Sequence, residues 1–130
     1  MLHIKGVQAK EEQEALCRLC GVDFKPDCFC YACREDDAPV AICQFRIQGD
    51  CGLMYGVYPV QGVQDDEALL LTGRAVFNFL DRCTVRHVKF IPASSEEHPL
   101  ARRLGFRLTP DGGWFIDLTG FFHEPCKHGY

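Results

Sequence analysis

Apolar and polar residues alternate through residues 2–7, which predicts a strand. Within Lys10–Cys20 the spacing changes, and Ala15, Leu16, Leu19 and Cys20 recur as on one helical face. Glu11, Glu12 and Glu14 stand in the first turns of this helix, where its dipole favours negative charge, and Gly21 suits its C-terminal end. Pro26 and Asp27 mark a loop. Residues 28–60 hold three runs rich in β-branched, aromatic and cysteine residues. They are separated by turn-forming stretches at 35–39 and 48–50, the pattern of a three-stranded antiparallel meander.

The clearest helical signal lies in residues 65–83. There Leu69, Thr72, Val76, Phe79, Leu80 and Cys83 form one stripe behind the acidic start Asp65, Asp66 and Glu67. Residues 86–91 predict a strand stopped by Pro92, and residues 96–104 a short helix closed by Gly105. Residues 106–108 and 114–118 flank a Thr-Pro-Asp-Gly-Gly turn and predict a hairpin. The expected order is β-α-β-β-β-α-β-α-β-β over a single domain at residues 1–120. A tail at residues 121–130, led by Phe121 and Phe122, follows it.

At 130 residues, 47% hydrophobic and 25% charged, the chain has the composition of a globular protein able to bury a sizeable core. Its net charge of -4 and sparse arginine cluster (Arg102, Arg103, Arg107) argue against a nucleic-acid partner. The sequence shows neither an export signal nor an apolar run of membrane-spanning length, so no membrane association and a cytoplasmic location are expected. Nine cysteines, an odd count, then read as reduced thiols.

Val57-x-Pro59 leading into a long helix, a strand, and then Leu104-Gly105-Phe106 before a hairpin is similar to the GCN5-related N-acetyltransferase family across residues 28–118. The resemblance implies an α/β (α+β) fold with a mixed, mainly antiparallel central sheet flanked by helices. It also implies acetyl-CoA as acyl donor and an amine of a small molecule or peptide as acceptor. In that family a loop of pattern Gln/Arg-x-x-Gly-x-Gly/Ala holds the donor's pyrophosphate on backbone N–H groups at a helix start. The matching stretch here is Gln61-Gly62-Val63-Gln64-Asp65-Asp66, so Gln64 and Asp66 occupy the two glycine positions. Carried over residue by residue, the resemblance implies donor contacts at Val57, Tyr58, Gln61, Gly62 and Gln64.

Asp65, Asp66 and Glu67 oppose such an anion. Two like charges about 6 Å apart repel by roughly 3 kcal/mol at an effective dielectric near 20. The same residues favour the helix when no anion is bound. The family's tyrosine acid, four residues before the glycine, is replaced here by Ala101. His98 is the ionisable side chain one turn earlier, and with Tyr58 it forms the catalytic candidate set. Tyr55 and Tyr58 have opposite strand parity, so one of the two is expected to face a cleft. Glu35 and Asp37 fall in a turn and are expected to face solvent, and no base is assigned.

Cys17-x-x-Cys20 and Cys28-x-Cys30-x-x-Cys33 carry zinc-ligand residue types. Cys17 and Cys20 fall on a helix without a knuckle turn, and Cys33 lies on the opposite strand face from Cys28 and Cys30. No metal is therefore expected there, nor at His123-x-x-Cys126-x-His128, which has no fourth ligand. Buried inert thiols are the expectation, with Cys43, Cys51 and Cys83 in places where valine or alanine would serve. The functional alternatives are an N-acyltransferase, a noncatalytic relative that binds a small molecule or a protein in the same cleft, and a small zinc-binding module.

Overall fold

A computed structural model of the chain describes residues 1–92 and 99–122. In chain order the elements are β1 (Leu2–Gly6), α1 (Lys10–Cys20), β2 (Phe29–Glu35), β3 (Ala38–Gln48), β4 (Cys51–Met54), β5 (Tyr58–Pro59), α2 (Asp66–Arg82), β6 (His87–Phe90), α3 (Pro99–Leu104), β7 (Arg107–Leu108) and β8 (Trp114–Asp117). The order agrees with the sequence pattern except in one place. The third run of the meander divides into β4 and β5, because the chain changes direction at Gly56.

The eight strands form one sheet in the order β1-β2-β3-β4-β6-β8-β7, with β5 paired to β3 beside β4. Every pairing is antiparallel except that of β4 with β6. This parallel pair follows from topology, since α2 must cross one face to connect them. Two-residue turns at 36–37 and 49–50 set the meander register, Glu35 opposite Ala38 and Gln48 opposite Cys51.

The long strand β3 is buried without interruption from Val40 to Phe45, as expected for a strand covered on both faces. Cys43 and Phe45 face α2 and α3 in the main core, with Phe77, Leu80, Val88 and Leu104. Ile42 faces α1, with Leu16, Cys17, Cys20 and Cys30. Cys30 and Cys33 thus serve opposite faces, as their strand parity requires. Gly73 lets α3 approach α2 closely, since a Cβ there would lie 2.7 Å from a Leu104 methyl.

The buried helical faces are rotated from the expected ones. In α1 they are Gln13, Leu16, Cys17 and Cys20, while Leu19 is 47% exposed and Ala15 faces solvent. Gln13 is inside because its amide donates to the Val7 carbonyl at 2.6 Å, which satisfies a buried turn. In α2, Phe77 is fully buried, Phe79 is half-buried and Cys83 is exposed just past the helix end. Phe77 is claimed by the segment joining α3 to β7 and by the turn after β8, packing edge-on against Phe106 and Phe121 with ring centroids 5.4 and 5.6 Å away. Phe77→Ala is expected to destabilise the protein by about 3–5 kcal/mol. Urea unfolding measures this, and a loss below about 1 kcal/mol would show that the three-ring contact does not anchor α2.

Candidate functional site

The division of β4 from β5 opens the sheet. β4 pairs with β6 from Cys51 opposite His87 to Met54 opposite Phe90, and the Ile91 N–H adds one last bond to the Met54 carbonyl at 2.6 Å. The chain then turns at Gly56, with φ +83, and β5 runs on along β3, with Tyr58 opposite Ile42 and Pro59 opposite Ala41. Beyond that bond no rung joins the two strands among the described residues. Pro92, on the far side, has no N–H to offer one.

The resulting gap has a cavity on each side. A cleft of about 140 Å³ on the α2/α3 face is bordered by Gly56, Val57, Leu69, Phe90 and Leu100. A larger cavity of about 260 Å³ on the α1 face is bordered by Val22, Lys25, Gln44, Tyr55 and Ile91. Tyr58 and Pro92 border both. The two tyrosines therefore share a cavity, contrary to their strand parity. Gly56 breaks the strand between them and resets the alternation.

Tyr58 lies across the break: a Cβ on Gly56 would sit 2.5 Å from its phenol oxygen. Tyr55 is held by Arg46, whose Nε donates to the phenol oxygen at 3.1 Å while its Nη1 pairs with Asp27. The Tyr55 N–H still bonds the Gln44 carbonyl at 2.9 Å. The next two N–H groups, of Gly56 and Val57, meet no acceptor among the described residues, although both residues are buried. Buried backbone donors rarely stay unpaired, so this edge of the gap is suited to an acceptor oxygen.

The loop into α2 is arranged differently from a phosphate cradle. The Gln61 N–H donates to the Leu19 carbonyl at 3.0 Å, and its side chain lies over Gly21 at the end of α1. Gly62 completes a turn closed by Val63 N–H to Val60 carbonyl at 2.9 Å. Asp65 caps α2, accepting from the Ala68 N–H at 3.0 Å, and so occupies a donor that an anion would use. Gln64, Asp65 and Asp66 line a cavity of about 520 Å³ at this helix start, and Asp66 and Glu67 are exposed.

Ala101 is fully buried in α3. His98 lies outside the described residues, as does the His123, Cys126 and His128 group. Among the described residues no three potential ligands converge as a metal site would require, and no helix is long and apolar enough to cross a membrane. Six cysteines, from Cys17 to Cys43, are buried. Burial pushes the thiol of Cys20 up to about 11 and that of Cys30 to about 12, so both are protonated at neutral pH.

No family model matches the sequence. A search of curated proteins finds no match either. The structure, however, aligns over most of its length with several solved acetyltransferases. The ribosomal-protein-S18-alanine N-acetyltransferase of Escherichia coli superposes with a TM-score of 0.66 at 12% identity, covering 90% of each chain. The fold is that of the GCN5-related N-acetyltransferases. A member of that family from Brucella melitensis, in complex with acetyl-CoA, gives 0.68 at 11% identity over 90% of this chain and 88% of its own. The Paia N-acetyltransferase of Thermoplasma acidophilum, in complex with coenzyme A, gives 0.67 at 8% identity over 89% and 97%.

Two outcomes are expected from this geometry. Gly56→Ala places a side chain at positive φ against the Tyr58 ring and should lower stability by about 1–3 kcal/mol, part of it recovered in the double variant with Tyr58→Ala. Additive losses in urea unfolding would refute the contact. For the thiols, burial raises the pKa of Cys20, Cys28 and Cys30 on folding above the ordinary 9.0. Their contribution to stability is complete below about pH 9 and is lost as pH rises through 11 to 12. Iodoacetamide at pH 7.5 should label Cys83 first among the described cysteines and leave Cys30 and Cys43 intact until the protein unfolds.

Proposed function

We propose that the chain is an N-acyltransferase that joins an amine to the acyl group of a thioester in the gap between β5 and β6. The observation that carries this reading is the pair of N–H groups at Gly56 and Val57 that meet no acceptor among the described residues, set where two cavities meet. A thioester arm entering on the α2/α3 face would bring its carbonyl to this edge, where a backbone donor stabilises the oxyanion of the tetrahedral intermediate. An amine from the opposite face attacks the carbonyl carbon. The C–N bond forms and the C–S bond breaks with its electron pair on sulfur, while the amine proton leaves to water. Tyr58, which borders both cavities, is the first candidate to protonate the departing thiolate, and His98 is the second. Positioning supplies most of the rate in such a reaction, so a sparse set of acid-base groups is compatible with it.

The donor is an acyl-CoA or a related pantetheine thioester, a reading supported by the CoA-bound and acetyl-CoA-bound structures of similar fold. Asp66 and Gln64 at the start of α2 make CoA a weak ligand. Calorimetry should show a dissociation constant well above micromolar, and replacing Gln64 and Asp66 by glycine should tighten it by about tenfold or more. Submicromolar CoA affinity in the unaltered protein would contradict the electrostatic argument. Acetyl-CoA turnover against a panel of amines tests the activity itself. Tyr58→Phe should lower kcat by about a hundredfold if the phenol is the acid. If His98 is the acid, turnover should instead fall as pH rises through the imidazole pKa, and His98→Ala should remove that dependence.

A further inference from the structure

The cavity on the α1 face carries a charge arrangement that the acyl-transfer reading does not use. Asp23 and Lys25, two residues apart on the loop after α1, both border it. Neither takes part in an ion pair among the described residues. Their loop is fixed from below by Gln44, a buried side chain only 5% exposed. Its Oε1 accepts the Lys25 N–H at 2.8 Å and its Nε2 donates to the Asp23 carbonyl at 2.8 Å. The Lys25 ammonium stands 5.0 Å from the centre of the Tyr55 ring, held over it by cation–π attraction. A positive group set over the Tyr55 ring and the exposed carboxylate of Asp23 on the same anchored loop, with apolar walls from Val22, Tyr55 and Tyr58, are complementary to a molecule that carries both charges and a modest apolar side chain.

We infer that this cavity binds a free, neutral α-amino acid, with its carboxylate on Lys25 and its ammonium drawn towards Asp23 beside the gap. The inference rests on the gap being the place where amine and thioester meet. It names the acceptor class and makes Lys25 its specificity determinant. A single amine would leave Lys25 unanswered, and a peptide N-terminus has its own α-carboxyl tied up in an amide.

Ligand-observed NMR on the whole protein, without acyl donor, tests it with the neutral L-amino acids and, for leucine, the matched probes L-leucinamide and isopentylamine. At least one amino acid should bind more tightly than its uncharged-end partners. Lys25→Gln should weaken the amino acid by about fivefold or more and leave the amine unchanged, and Lys25→Arg should restore most of the loss. Thermal unfolding of both variants checks that the loop still folds. The inference is overturned if no neutral amino acid binds below about 10 mM, or if Lys25→Gln leaves the preference for the carboxylate within twofold. An acetyl-CoA assay separates the two readings. Lys25-dependent amino-acid binding without any transfer would sink the enzyme reading alone, and transfer to amines indifferent to Lys25 would sink this one alone.

Discussion

The arrangement of the candidate site depends on one interruption in a hydrogen-bond ladder. Up to Met54 the parallel pair β4/β6 is continuous, and after it Gly56 at φ +83 turns the chain onto β3 alone. Everything functional in the account follows from that turn. It leaves two N–H groups without partners among the described residues, it opens a cavity on each face of the sheet, and it brings two tyrosines of opposite parity to one place. The neighbouring core keeps the gap from closing. β3 is locked between α1 and α2, while Phe90 and Leu104 fix β6 and α3 in the main core on the other side.

A second constraint works against the usual use of such a gap. The start of α2 can satisfy its free N–H groups with its own carboxylate or leave them to a ligand's phosphates, and Asp65 takes the first course. With Gln64 and Asp66 on the same rim, the helix is well capped and repels a pyrophosphate. Stability of the helix and affinity for a nucleotide donor are thus opposed through the same few groups. The thioester arm, which is uncharged, is not subject to this opposition.

The fold was legible in the sequence where the signal is local. The bounds of α1, the two hairpin turns and the Asp65 cap all come from residues within a few positions of each other. The resemblance carried by Val57-x-Pro59 and Leu104-Gly105-Phe106 led to the correct architecture. What was missed is nonlocal. Leu19 looks like a core residue by spacing, yet α1 turns Gln13 inward, where its amide bonds the Val7 carbonyl. Phe77 lies off the apolar stripe but is captured by Phe106 and Phe121 from much later in the chain. The break at Gly56 has the same origin. Alternation continues through Tyr55 and Tyr58 on paper, and only the competition between β3 and β6 for that segment shows that it does not hold. Asp23 and Lys25 gave no motif at all, since their shared cavity depends on a buried glutamine from β3.

In the proposed reaction an acyl thioester seats its carbonyl against the N–H groups of Gly56 and Val57, which have no partner among the described residues. The direct measurement is the amide NMR spectrum of the ¹⁵N-labelled protein titrated with acetyl-CoA and, separately, with acetyl-pantetheine, to millimolar concentration. The account predicts that the Gly56 and Val57 amide signals move together and saturably with both compounds, while the amides of β1 and β2 stay in place. Saturable binding that leaves Gly56 and Val57 unmoved, or no perturbation by either thioester at any concentration, would contradict it.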